Sequence, residues 1–251
     1  MTSDSARVSN WFNPKTRKTM RKTMTTALAA TIGLAGSAVY FSPWVWRRYR
    51  MNRIRKKLIE NRILALTYDD GPSNPLTPQL LDLLGQRDAR ASFFMLGRHA
   101  QQHPEIVDRV LREGHDVGCH SDQHMHAWKT LPWEAVADID AGYQRLSPWL
   151  QPSGMFRPPY GKMTLPTYWS IRRRGAPVWW WTIDSGDTHT VLPSASQVAD
   201  RLRHEGGGIV LMHDLDRTQP RNDFVLELTE TLIDVARRDS LHIRPLRDLC
   251  Q

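Results

Sequence analysis

Two adjacent carboxylates, Asp69 and Asp70, close an apolar run that begins at Ile63, and Gly71-Pro72 follows at once. A short β-rich run cut by Gly-Pro reads as a strand ending in a loop. Successive strand residues face opposite sides, so the two aspartates need not share a task. Side-by-side carboxylates repel unless a cation or a shared proton relieves them. One can bind a metal while the other stays free as a base. The competing reading is an Asx-type turn with a solvated pair. Further on, His120 and His124 flank Ser121-Asp122-Gln123. Two imidazoles and one carboxylate bind a divalent ion and leave positions open for water. Zn²⁺ suits such a set, with Co²⁺ and Ni²⁺ as alternatives. H-x-x-x-H alone describes two surface histidines equally well. The other histidines outside the His213-Asp214 pair have no comparable partner and read as solvated or structural.

The elements that must position these residues alternate. Strand-like runs at 63–66, which leads into the carboxylates, and at 91–96, 115–120, 155–157, 178–183, 209–212 and 242–246 are separated by helical patterns at 77–85, 103–113, 132–146, 166–174, 196–204 and 223–237. Helix starts are marked by Thr77-Pro78 and His103-Pro104, and stops by Gly114, Gly175 and Gly206. Strand–helix alternation predicts an α/β fold with a largely parallel sheet, open or barrel-like. The C-terminal strand ends of such folds share one face, and sites form there. Asp69-Asp70, His120, Arg157, Asp184 and His213-Asp214 each stand at such an end, so the fold would gather residues far apart in the chain.

Five blocks in this order carry a resemblance: T-Y-D-D-G-P at 67–72, H-S-x-x-H at 120–124, R-P-P-Y-G at 157–161, D-S-G-D at 184–187 and I-V-L-M-H-D at 209–214. The chain resembles the NodB-homology polysaccharide deacetylases, carbohydrate esterase family four, over about Ile63 to Leu249. The resemblance implies a distorted (β/α) barrel and hydrolysis of N-acyl groups on amino sugars of a poly- or oligosaccharide. It further implies one divalent metal held by Asp70, His120 and His124, with Asp69 as general base oriented by Arg157. His213 would be the general acid, oriented by Asp184. Leu211 would line the acyl pocket, and the Tyr160 backbone N–H would help hold the oxyanion. Three positions depart from the family's pattern. Tyr68 stands for Phe, Cys119 for Asn, and Thr188 for the Trp that usually ends the fourth block. The last change reshapes the groove wall. The upstream run Trp179-Trp180-Trp181 could compensate, although strand core is its first reading.

The net charge of +8 over 251 residues is uneven. Residues 1–62 carry 14 Lys/Arg against 2 Asp/Glu, and the remainder 20 against 24. The high pI thus describes the N-terminal part, and a nucleic-acid partner is not implied. Two cysteines, Cys119 and Cys250, make no disulfide framework. Residues 1–22 read as a basic, disordered arm. Residues 23–46 are uncharged, long enough as a helix to span about 30 Å of hydrocarbon, and end in Tyr40, Phe41, Trp44 and Trp46. They are expected to be a retained single-pass anchor that brings membrane lipid into contact. A cleaved signal sequence, or a start at Met51, would remove it. Residues 47–62 then form a basic linker to a catalytic domain at 63–251. Positive-inside counting places that domain in the cytoplasm, weakly, because both flanks are basic. A deacylase or deformylase of a polyprenol-linked sugar and an inactive glycan-binding module are the competing functions.

Overall fold

The computed structural model describes residues 14–151 and 154–249; Cys250 lies outside them. Strand β1 (Ile63–Asp69) is the centre of a parallel array. Along one edge it pairs with β5 (Gly208–His213), from Leu64↔Gly208 to Asp69↔His213. Along the other edge it pairs first with β6 (His242–Ile243) and then with β2 (Ser92–Met95). Strand β3 (Asp116–Cys119) continues outward from β2. Single bridges then lead from Cys119 to Phe156 and from Phe156 to Val178. The segment after Val178 runs into β4 (Ile183–Asp184), which pairs with β5. The parallel array therefore returns to its starting strand, with its weakest seam at Phe156.

Strand alternation separates two cores. Ala65, Phe94, Met155, Trp179 and Ile209 pack together on the enclosed face, with Leu58, Ile63 and Leu246. Leu64, Leu66, Tyr68, Phe93, Val210 and Met212 face the surrounding helices. Gly118 of β3 has a packing reason: a Cβ there would lie 2.6 Å from the Phe94 ring and 3.2 Å from the Met155 carbonyl.

The helices are α1 (Pro14–Glu60), α2 (Leu76–Gln86), α3 (Gly97–Gln102), α4 (Pro104–Arg112), α5 (Pro132–Leu146), α6 (Leu165–Arg173), α7 (Ala195–Glu205) and α8 (Gln219–Arg238). Their starts and stops follow local chemistry. Proline occupies the first turn of α4, and Ile106, Val107 and Val110 form its buried stripe. Ser194 and Gln197 close a reciprocal cap at the start of α7, which ends on left-handed Gly206. The sequence reading missed α3 and began α8 four residues late. It also took 178–183 as one strand, where Val178 makes a single bridge and only Ile183–Asp184 joins the ladder.

The N-terminal expectations change most. Residues 23–46 were expected to span a membrane, but among the described residues no helix is long and apolar enough to do so. The stretch is uncharged without being apolar throughout. Thr23, Thr25, Thr26, Thr31, Ser37 and Ser42 interrupt it, each returning its hydroxyl to a carbonyl one turn back. Positions 14–22 of the expected disordered arm are helical, and 1–13 lie outside the described residues. The expected 47–62 linker is mostly the end of the same 47-residue helix. That end docks on the domain. Leu58 is 1% exposed, and the Trp46 ring lies 4.9 Å from Tyr168 and 5.6 Å from Trp180.

Candidate active site

Asp69 and Thr67 share the enclosed face of β1, and Arg157 reaches both. Its Nη1 donates to Asp69 Oδ1 at 2.7 Å and to Thr67 Oγ1 at 2.8 Å. Arg157 is fully buried, its guanidinium 4.2 Å from the centre of the Phe94 ring. Burial pushes its pKa down, and the Asp69 charge works against that. The pair occupies one oxygen of Asp69. The other, Oδ2, lies 3.6 Å from His120 Nε2.

Asp70 follows the strand at φ 75. Its carbonyl is held at 2.7 Å by His99 Nδ1. Asp70 Oδ1 lies 3.6 Å from His120 Nε2 and 3.3 Å from His124 Nε2. These separations match ligand atoms about 3.3 Å apart around a tetrahedral Zn²⁺. Asp70 Oδ1 is buried and takes no hydrogen bond. His120 Nδ1 is engaged with the Arg157 carbonyl at 2.8 Å, which leaves Nε2 as the lone-pair side. An orphaned carboxylate oxygen facing two imidazole nitrogens fits a divalent cation. Burial would raise the Asp70 carboxyl, but His120, His124, His213 and Arg217 together hold it below the ordinary range. Burial pushes the His124 imidazole down to about 4, with His120 adding to the effect, so it is neutral at pH 7 as a ligand must be.

The loop carrying both histidines is fixed from below by Asp138 of α5. Its carboxylate accepts from Gln123 N at 2.7 Å and Met125 N at 3.1 Å. Gly142, one turn on, lets α5 approach: a Cβ there would meet the Ser121 carbonyl carbon at 2.5 Å.

His213 stands at the end of β5, on the same face as Leu211, which is buried at 4% exposure. Asp184 was expected to orient His213, and this is corrected: Asp187 does so. The Asp187 carboxylate engages His213 Nδ1 at 2.9 Å and accepts its backbone N–H at 2.8 Å. Asp184 instead accepts from Gly186 N at 2.9 Å, closing the turn through left-handed Gly186 that delivers Asp187. Burial opposes charge on the His213 ring, but Asp187 first, then Asp70 and Asp69, outweigh it and push the ring up to about 9. Asp214, next in the chain, faces the other way. It accepts from Gly71 N at 3.0 Å and Thr77 Oγ1 at 2.8 Å, and burial pushes it up to about 7. Gly71 is required there, since a Cβ would lie 2.1 Å from Asp214 Oδ2.

Tyr160 lies in a short 3-10 turn, Pro159–Gly161, at φ 55 and ψ 11. Its half-exposed ring is 4.4 Å from His124. Arg217, which the sequence reading did not single out, places Nη2 3.3 Å from Asp70 Oδ2. Thr188 is exposed beyond Asp187. Of the three consecutive tryptophans, Trp179 and Trp180 are buried. Trp181 is half-buried, with its ring 6.0 Å from the Arg157 guanidinium carbon. Tyr68 is wholly buried and its hydroxyl pairs with Thr229 at 2.8 Å. Cys119 is a buried free thiol, pushed up to about 12.

A parallel α/β array with a carboxylate pair, two histidines and a carboxylate-held histidine at its strand ends defines a hydrolase-type site. The polysaccharide deacetylase family model matches residues 56–179. A peptidoglycan-N-acetylglucosamine deacetylase of Bacillus cereus is 35% identical over 164 residues, 63% of this chain and 76% of that protein. The Listeria monocytogenes peptidoglycan-N-acetylglucosamine deacetylase PgdA is also 35% identical, over 63% of this chain but only 34% of its own length. Among solved structures, a peptidoglycan N-acetylglucosamine deacetylase superposes with a TM-score of 0.68 at 26% identity, covering 76% of this chain and 88% of that one. The peptidoglycan deacetylase PdaC of Bacillus subtilis gives 0.63 at 27% identity, covering 74% and 89%. The chain belongs to the polysaccharide deacetylase family and is a hydrolase of that type.

Proposed function

We propose that this protein is a metal-dependent hydrolase that removes N-acetyl groups from amino sugars of a glycan. N-acetylglucosamine units of a peptidoglycan-type polymer are the first candidate, as the names of the relatives indicate. The observation that carries this reading is the division of labour at the end of β1. Asp69 is held by Arg157, whereas Asp70 faces two histidines with an unpartnered oxygen.

Amide hydrolysis needs an activated water, a stabilised oxyanion and a proton for the departing amine. Asp69, held by Arg157 through Oδ1, takes the proton of the attacking water through Oδ2. The water oxygen bonds to the acyl carbon, and the developing oxyanion is met by the Tyr160 backbone N–H. His213 gives its proton to the nitrogen as the C–N bond breaks. Its Asp187 partner keeps the ring charged until then and fixes which nitrogen faces the substrate. Leu211 walls the acyl methyl. Asp70, His120 and His124 would hold a divalent cation, Zn²⁺ being the first choice for this ligand set, and it would supply Lewis-acid polarisation of the carbonyl and a more acidic water. An inactive glycan-binding module would have no use for the Arg157–Asp69 and Asp187–His213 pairs, each of which costs burial of charge.

The test is acetate release from N-acetylglucosamine oligomers and from peptidoglycan fragments, with and without chelator. Release that chelation abolishes and added Zn²⁺ restores is expected. Binding without any release would favour the inactive module.

A further inference from the structure

We propose that Arg47, on the N-terminal helix and outside the family match, is a positioning residue for the active-site turn 158–161. The helix would then be part of the catalytic apparatus of this chain. The inference rests on the deacetylase reading above and extends it to an element that the family model does not include.

Arg47 Nη1 donates to the Gly161 carbonyl at 3.1 Å, and Trp180 Nε1 donates to the same oxygen at 3.2 Å. Tyr160 and Gly161 are both left-handed, at φ 55 and 64. A non-glycine residue in that region is strained and persists where its surroundings hold it. The turn's internal bond, Gly161 N to the Pro158 carbonyl at 2.8 Å, does not tie it to the rest of the protein. The two donors to Gly161 do, and one of them comes from α1.

The fit is close. A Cβ on Gly161 would lie 3.1 Å from Arg47 Nη1 and 2.9 Å from the Trp181 ring. The Arg47 guanidinium carbon is 5.4 Å from the centre of the Trp181 ring and 5.6 Å from that of Trp180. The guanidinium carbon of Arg157, which grips Asp69, lies 6.0 Å from the centre of the same Trp181 ring. A single side chain thus touches the turn that carries Tyr160 and the ring beside the base's partner. Arg47 is half-buried and, among the described residues, has no carboxylate partner. A desolvated guanidinium committed to a backbone carbonyl differs from the solvated basic residues around it. Trp46 and Leu58 already fasten the helix, so Arg47 is not needed for docking alone.

The experiment compares the 251-residue wild type with Arg47→Ala, Arg47→Met and Arg47→Lys, and with Leu58→Ala as a variant that loosens helix docking away from the turn. Acetate release, bound metal, thermal midpoint and amide hydrogen exchange of peptides covering 155–165 are measured. Arg47→Ala is expected to lower kcat about 10- to 100-fold, the scale of a displaced catalytic group. KM and metal content should hold, and Arg47→Lys should recover part of the loss. Arg47→Met keeps the apolar stem, so it reports the missing donor even if the alanine variant folds poorly. Exchange should rise in the 155–165 peptides of Arg47→Met and not in those of α1. A kcat within twofold of wild type in Arg47→Met, or exchange rising equally in helix and turn, overturns the inference. Inactivity of the wild type defeats the deacetylase reading instead, and the exchange comparison still decides the role of Arg47.

Discussion

Asp69 and Asp70 are the same side chain with opposite surroundings. Arg157 takes one oxygen of Asp69, while two imidazoles confront Asp70. Asp69→Asn is therefore expected to keep its metal and lose about 10²- to 10⁴-fold in kcat, the scale of a general base. Metal analysis beside the rate measurement checks this, and loss of metal would mean the two roles are reversed. His213 gives the pH dependence. Its pKa is raised, so the acid form is complete at low pH and is lost as pH rises toward about 9. A cation at Asp70 adds opposing charge, so the alkaline limb of kcat/KM should fall below that value. Asp187→Asn should move the limb further down in pH and cut the rate, while Asp184→Asn should leave the limb in place. A shift in the Asp184 variant alone would restore the original assignment. The error over these two residues has a physical origin. Apolar runs that end in a polar residue are a local property and were legible, so Asp69, Asp70, His120, Arg157 and His213 were singled out, and the fold brings them within reach of one another. Which aspartate of D-S-G-D reaches His213 depends on the turn at Gly186 and on a partner 26 residues away. The signal was present only as a second carboxylate in the same block. Arg217 gave no signal, since its relation to Asp70 exists only after β1 and β5 pair.

At the level of elements, the helices with proline starts, glycine stops and apolar stripes were read with small boundary errors. The N-terminal helix was not. Its lack of charge resembled a membrane span although its hydroxyls were legible in the sequence, and its contacts with the domain are tertiary facts. Its last turns belong to the core. Leu58 packs on the enclosed face with Ile63, Ala65, Ile209 and Leu246. Leu58→Ala should cost about 2–5 kcal/mol, as for other buried leucines. Denaturant unfolding followed by circular dichroism checks this. A change below about 0.5 kcal/mol would mean that the helix end is only laid against the domain.

For the whole molecule, a cation that binds only the folded state stabilises it by an amount that grows with the logarithm of its free concentration above Kd. At 100 times Kd the gain is about 2.7 kcal/mol. Zn²⁺ should raise the thermal midpoint, chelator should lower it, and neither should affect His124→Ala, which lacks a ligand. Equal shifts in wild type and variant would place the cation elsewhere.

The order in which the chain is made gives β1 a particular history. It bears Asp69, leads straight into Asp70 and precedes β2 to β6, yet its longest ladder is with β5, about 145 residues on. The pairing is non-local and parallel, the slow kind. Until the ribosome has released Gly208–His213, β1 has one edge without its partner, and Asp69 and Asp70 have no His213 opposite them. A nascent chain therefore carries the metal ligands before it carries the acid. Chains ended just before Gly208 should neither retain metal nor release acetate, although Asp70, His120 and His124 are all present in them.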